Sequence, residues 1–350
     1  MKKGIIIVLC LLSVQTFAQW KSYYPEGKSN NKNAIKEDIE KDNFKYNNYL
    51  FGALKSKSLE NFEEALKQFQ KCIKIDEKQA LPFYESALIN KNQGNLELAE
   101  EQIKIAATLE KKNRWYQLAY AEILFSNQDF KNAAAQYKKL ILREPGNEEL
   151  YYFLADAYIY DNNLLKAIGV YDNLEDKKGV EKMISMQKHK LYMELKKKQS
   201  AIKELLKLID TYPNDIEALE ILSEAYLLND EKDKAFEIFK KLAIIAPDNG
   251  RIHLTLADYY REQGDNIKSF EELKLAFKST KLGVDIKSHI LVSYFQLLGI
   301  NDSMREQADT LAKLLIQTHP KSVKPHAVYA DMLYTENKFQ AAKEQYLIVL

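Results

Sequence analysis

The chain has 350 residues, 46% hydrophobic and 29% charged, enough apolar surface to build a core and too much for a disordered tail. Its 11 glycines and 7 prolines fall well below the usual ~7% and ~5%, which argues against a sandwich, a barrel or a loop-rich catalytic fold. With 51 basic against 50 acidic residues, there is no overall positive field to draw nucleic acid or an anionic membrane.

Residues 1–18 read as a secretory signal. Lys2 and Lys3 open it, an apolar run follows from Ile5 to Leu12, and Thr16-Phe17-Ala18 ends it on a small residue. Cleavage is expected after Ala18, leaving Gln19 first. One alternative is a membrane anchor, for which the run falls short of the ~20 residues a span needs. Another is lipidation of Cys10, but Leu9 stands where such a site normally has a small residue. Once the signal is removed, no transmembrane segment is expected. Cys72 is then the only thiol, so no intramolecular disulfide can form. Residues 19–44, polar around Lys28 to Asn33, read as a flexible linker with a short helix over 34–41.

From residue 45 onward the sequence repeats. Ala65, Ala99, Ala133, Ala167, Ala201, Ala235 and Ser269 share one spacing, which resumes at Ala308 and Ala342 after a single insertion. Three further columns keep step with this one. A large apolar residue follows every marker except Ala308 by four, as at Phe69, Tyr137 and Tyr171; another precedes five of the markers by three, at Phe62, Leu96, Phe130, Leu164 and Phe339. Proline recurs at Pro145, Pro213, Pro247 and Pro320. Within each period the apolar residues recur at helical three and four spacing. The turns between paired helices fall at Gln93-Gly94-Asn95, Asn127-Gln128-Asp129 and Gln263-Gly264-Asp265. The recurring proline ends the second helix, because it has no amide donor and clashes with the preceding turn.

This pattern resembles the tetratricopeptide repeat family, whose unit is a helix–turn–helix of about 34 residues. The likeness is full in Glu148 to Glu181, with Tyr151, Leu154-Ala155 and Tyr158 on the first helix and Ala167, Tyr171 and Leu174 on the second. The resemblance covers residues 45–350 and implies an all-α, right-handed superhelical solenoid of about nine repeats. The ninth repeat stops at Leu350 in mid second helix, so the sequence reads as a fragment. Family geometry places small residues at the eighth and twentieth positions, here Ala87 and Ala99 or Ala155 and Ala167. His189, Ser269 and Leu291 depart from that rule, and looser packing is expected around them. Cys72 reads as a small buried packer rather than a reactive thiol.

The resemblance also implies where a partner would lie. The second, fifth, ninth and twelfth positions of each repeat face the concave wall, and an apolar, aromatic and methionine-rich stripe crosses four repeats there. Its candidate partner-binding residues are Tyr84, Leu88, Trp115, Leu118, Glu122, Tyr152, Asp156, Met186, Lys190 and Met193. Lys91 and Phe125 occupy the same wall. Tyrosine and tryptophan suit anchoring, and methionine suits adaptable filling. The competing reading is that several of these residues, Leu118 and Phe125 above all, complete the packing between neighbouring first helices.

Catalytic constellations are missing from the sequence. No two glycines are close enough for a dinucleotide or phosphate-binding loop. His189, His253, His289, His319 and His326 have no metal-ligand spacing, so no cofactor and no metal are expected. Asp302-Ser303-Met304 resembles an acceptor triplet for O-linked glycosylation of exported bacterial proteins, with a plain loop as the alternative. The composition, with its signal ending in Phe-Ala-Gln, resembles exported proteins of the Bacteroidota. The sequence therefore reads as a non-enzymatic adaptor of the periplasm or cell surface that holds a peptide or protein partner, with no role in nucleic-acid binding. The alternative is an envelope glycan-binding protein, or a non-catalytic subunit of a glycan-handling or secretion complex, using Trp115 and tyrosines as sugar platforms.

Overall fold

A computed structural model describes residues 30–295 and 302–350. The described residues form eighteen α-helices and no strand. The signal reading of residues 1–18 and the proposed cleavage site lie outside them. The helix α1 (Asn30–Ser58) takes in residues 30–44, read from sequence as a linker with a helix only over 34–41. No glycine or proline interrupts the chain from Ser29 to Phe51, so nothing stops the helix from extending in both directions.

Helices then alternate in pairs. The first of each pair are α3 (Ala80–Asn92), α5 (Arg114–Ser126), α7 (Glu148–Tyr160), α9 (Lys182–Glu194), α11 (Ile216–Leu228), α13 (Gly250–Glu262), α15 (Val284–Phe295) and α17 (Lys324–Thr335). The second are α2 (Phe62–Ile75), which closes on α1, then α4 (Leu96–Leu109), α6 (Phe130–Arg143), α8 (Leu164–Lys178), α10 (Lys198–Thr211), α12 (Lys232–Ile245), α14 (Asn266–Lys278), α16 (Asp302–Thr318) and α18 (Phe339–Val349). The fold is thus an all-α helical repeat. Asp302, the start of the candidate glycosylation triplet, opens α16, and the Ser303 side chain lies outside the described residues. The chain divides into two compact units, residues 1–157 and 158–350.

Among the described residues, the turn inside a pair has one geometry. Glu60, Gly94, Gln128, Asn162, Lys196, Asp230 and Gly264 all sit at left-handed φ, and Asn337 resumes the series after the insertion, with φ from 55° to 81°. The next residue donates its amide back to the carbonyl five positions earlier, as Asn95 does to Asn90 and Asp129 to Leu124, at 2.9 Å in each case. The left-handed residue itself bonds three back, Gly94 to Lys91 at 3.1 Å. These two bonds satisfy carbonyls that a helix end leaves orphaned. The residue that closes the first helix also caps the second, with the Asp129 and Asp265 carboxylates accepting from Asn132 and Lys268 amides.

A different turn joins one pair to the next. Asn147, Asp215, Asn249 and Ser322 donate to the carbonyls of Glu144, Tyr212, Ala246 and His319 at 2.9–3.1 Å. Each of these four turns carries its proline at the second position, where a fixed φ suits a tight turn. Small residues fill the crossings as expected, with Ala87, Ala99, Ala133, Ala201 and Ala235 fully buried. Two of the departures are compensated by hydrogen bonds across the crossing. His189 Nδ1 lies 3.0 Å from the Ala201 carbonyl, and Ser269 Oγ donates to the Ala257 carbonyl at 2.8 Å. Cys72 is a buried free thiol, pushed up to about 11 by burial, and this agrees with a packing role.

Candidate functional site

Within the first compact unit, three first helices and α6 enclose a cleft of about 280 Å³, lined by Lys91, Glu122, Phe125, Ser126, Tyr137, Phe153 and Asp156. Helical spacing brings them together: Lys91 comes from the last turn of α3, Glu122 and Phe125 stand one turn apart on α5, and Phe153 and Asp156 one turn apart on α7. Tyr137 reaches in from the second helix α6. Its ring lies 5.5 Å from that of Phe153, and Phe125 meets Phe130 edge-on at 5.2 Å, so the floor of the cleft is aromatic. The rim is charged.

Lys91 Nζ lies 3.1 Å from Glu122 Oε2, which leaves Glu122 neutralised within the protein. Asp156 has no such partner. It keeps contact with solvent, yet the protein around it raises its carboxyl above the ordinary range, with no opposing cation to bring it down. Tyr137 is only 3% exposed. Burial drives its phenol upward, and the carboxylates Glu122 and Asp156 add to the effect. Among the described residues no hydrogen bond satisfies the Tyr137 hydroxyl.

Of the sequence candidates, Glu122 and Asp156 meet in this cleft. Trp115 stands on the same helix as Glu122, 61% exposed, with the Arg114 guanidinium 5.0 Å from its ring. Arg114 is itself held by Glu144 at 2.9 Å, which fixes the ring's neighbour. Tyr84 and Leu88 are half-buried and pack against the cluster of Phe83, Ala87, Ile103 and Tyr116, Tyr84 with its ring 4.6 Å from that of Tyr116. Leu118 and Tyr152 are also half-buried. In the second unit Met186 packs against Ile202, Leu205 and Tyr226, while Lys190 and Met193 are exposed. Part of the stripe therefore belongs to packing, and the exposed part is Trp115 on α5 and Asp156 on α7 in the first unit, with Lys190 and Met193 on α9 in the second. Sequence reasoning missed Tyr137 and Phe153. Tyr137 belongs to the column of large apolar residues four after the repeat marker, here Ala133, and such a residue reads as core.

The described residues hold no group of three or more His, Cys, Asp or Glu that could bind a metal ion. None of the described helices is long and apolar enough to cross a membrane.

A model of the tetratricopeptide repeat matches residues 118–179 and 190–250, and a second matches residues 48–79. Among solved structures, a chain of the Naa15/Naa10 complex bound to HypK-THB is 15% identical with a TM-score of 0.52, covering 89% of this chain and 59% of that one. The present chain thus spans less than two thirds of that relative. A tetratricopeptide repeat protein from Parabacteroides merdae is 14% identical with a TM-score of 0.41, over 76% of this chain and 98% of the other. The C-terminal part of a repeat protein from Cytophaga hutchinsonii is 16% identical with a TM-score of 0.44, over 69% and 94%. At these identities the likeness concerns the fold alone. No curated protein matches the sequence.

Proposed function

We propose that this chain, which carries tetratricopeptide repeats over residues 48–79, 118–179 and 190–250, is an exported, non-enzymatic adaptor that holds an extended segment of a partner protein against its first helices. The observation that carries this reading is the surface of α5 and α7 in the first unit. There an exposed Trp115 and a half-buried Tyr152 stand on the same two helices that line a cleft with an aromatic floor and a charged rim. Large aromatic side chains left open beside a concave site are the residues that dominate binding energy at interfaces. A repeat fold also offers extended surface without a buried catalytic pocket.

Replacing Trp115 and Tyr152 together with alanine tests the proposal. Anchors of this kind each contribute roughly 2 kcal/mol, about thirtyfold in affinity. The double variant should keep its helicity and melt within a few degrees of the parent while losing the partners crosslinked to the parent in cells. Early unfolding would make both residues core and move the partner site elsewhere. Export is tested separately: the mature protein should begin at Gln19 in the envelope fraction, and an intact Met1 terminus on cytoplasmic protein would refute it.

A further inference from the structure

The cleft between α3, α5, α6 and α7 is short of one positive charge. Glu122 and Asp156 bring two negative charges and Lys91 supplies one positive charge, already engaged by Glu122 at 3.1 Å. Asp156 stands unmatched on the opposite wall, and Tyr137, a buried residue whose hydroxyl makes no hydrogen bond among the described residues, lines the same space. A hydroxyl can accept as well as donate, so the Asp156 carboxylate and the Tyr137 hydroxyl can both receive donors. Phe125 and Phe153 supply apolar walls between them.

We propose that this cleft takes the side chain of a lysine or arginine from the bound partner segment, with the cationic head on Asp156 and Tyr137 and the stem against Phe125 and Phe153. The proposal rests on the peptide-holding reading above and adds the chemistry of the residue that is held. Charge complementarity selects the occupant. A neutral side chain would leave Asp156 partly desolvated without compensation, and a carboxylate would add a third negative charge. A single monovalent cation balances the site. Its long methylene stem suits aromatic walls, since lysine and arginine bury their stems along apolar surface while the head stays polar, and a cation beside aromatic rings is further stabilised.

The test uses the full chain and four fluorescein-labelled pools of twelve-residue peptides. Each pool has random Ala, Ser, Leu and Tyr around a fixed central residue, which is Lys, Arg, norleucine or Glu. The Lys and Arg pools should bind roughly tenfold tighter than the norleucine pool, as expected for a charge-assisted hydrogen bond, and the Glu pool weakest. In Asp156→Asn, which keeps the side-chain volume at a solvent-exposed position, the ratio of Lys to norleucine binding should fall to about one. Asp156→Lys should instead turn the preference toward the Glu pool, which guards against a variant that has merely lost its fold. Equal binding of the Lys and norleucine pools to the parent, both weakened by Trp115→Ala, would sink the cation pocket and leave peptide holding intact. Absence of binding by every pool would sink both. Displacement of the Lys pool by millimolar calcium or magnesium chloride, at constant ionic strength, would mark a divalent-cation site and overturn the assignment.

Discussion

Among the described residues two lysines are buried, and their surroundings could hardly differ more. Lys188 on α9 is 2% exposed, with its Nζ 2.6 Å from Asp172, 2.9 Å from Glu175 and 2.9 Å from Glu204. Lys287 on α15 is fully buried and faces no carboxylate at hydrogen-bond distance. Its Nζ donates to the Phe277 and Ser279 carbonyls at 2.8 and 2.7 Å and to Thr318 Oγ1 at 3.1 Å. Burial works against the proton on both. At Lys188 the hydrogen bonds to Asp172, Glu204 and Glu175 overcome it and hold the ammonium above its usual range. At Lys287 burial wins and the amine is lowered to about 8, with Asp248 pulling weakly the other way. The charge of the partners, not the depth of burial, decides the protonation state. The two sites also do different mechanical work. Lys188 ties α8, α9 and α10 together through an ion network that Lys207 extends to Glu175 at 2.7 Å. Lys287 instead satisfies carbonyls at the C-terminal end of α14, which a helix end leaves without partners.

The largest effect that could break this comparison is removal of Lys188. Lys188→Met leaves Glu175, only 5% exposed, and Glu204 without their central cation, and losing one side of a buried ion network costs about 3–5 kcal/mol. The urea midpoint should drop accordingly. Adding Glu175→Gln and Glu204→Gln to the same chain should recover most of the loss, because the uncompensated charges are then gone. A single substitution no worse than Lys287→Met would show that the network is not the stabilising element taken from its geometry.

Lys287→Met should cost less, about 1–3 kcal/mol, the penalty for leaving buried carbonyls unsatisfied. Denaturation of the single variant at pH 7 checks this. A loss equal to that of Lys188→Met would mean that the carbonyl cage matters as much as the carboxylate cage.

The two lysines should also part in their response to pH. A lysine lowered to about 8 in the folded state binds fewer protons than in the unfolded chain between about pH 8 and 10.5, so parental stability should rise across that window relative to Lys287→Met. Lys188 is shifted the opposite way. Its contribution is present below pH 10.5 and fades only above it. Glu175 is buried, which alone would raise its carboxyl, but bonds from Lys207 and Lys188 lower it below the ordinary range. Its contribution is therefore present above about pH 4.5 and lost as the pH falls through the folded value. Hydrogen exchange in acid should then show α8 to α10 opening before α13 to α15. Urea midpoints at pH 7.5, 9 and 10 for the parent and the two methionine variants test the alkaline side, with parallel curves for all three as the refuting outcome. His319, lowered by burial and by Lys287, titrates below the alkaline window and does not disturb it.

Neither buried lysine was legible in the sequence. A lysine at a helical position reads as a solvated face, and the partners that bury Lys188 come from the neighbouring helices α8 and α10. Recognising them needs the stacking, not the local pattern. The repeat itself was fully legible, because period, small crossing residues and proline turns are each set by local backbone demands that a residue type announces. The cleft lay between these cases. Glu122 and Asp156 follow from their position in the period, but Tyr137 and Phe153 enter only once α6 and α7 pack together. The His189 and Ser269 departures were visible as anomalies, whereas the hydrogen bonds that accommodate them depend on the angle at which two helices cross.

The smallest effect concerns the turns, where one backbone shape carries different residues. Lys196 and Gly264 hold the same left-handed position in the fifth and seventh repeats, at φ 56° and 77°. Both turns close with the same long-range bond, Lys197 to Tyr192 at 2.8 Å and Asp265 to Tyr260 at 2.9 Å. A side chain in that conformation costs about 1–2 kcal/mol, because Cβ crowds the carbonyl that follows it. Glycine avoids this cost but brings a more flexible unfolded chain, worth about 0.5–1 kcal/mol in the other direction. Lys196 is exposed, so Lys196→Gly should give a net gain of roughly 0.5 kcal/mol. Gly264→Ala meets no atom within 4 Å of its new Cβ, so its loss, of similar size, should come from the backbone alone. Paired urea titrations of the two single variants should therefore move in opposite directions. A loss of stability in Lys196→Gly would mean that the lysine stem contributes packing in the fifth repeat, beyond what its exposed position implies.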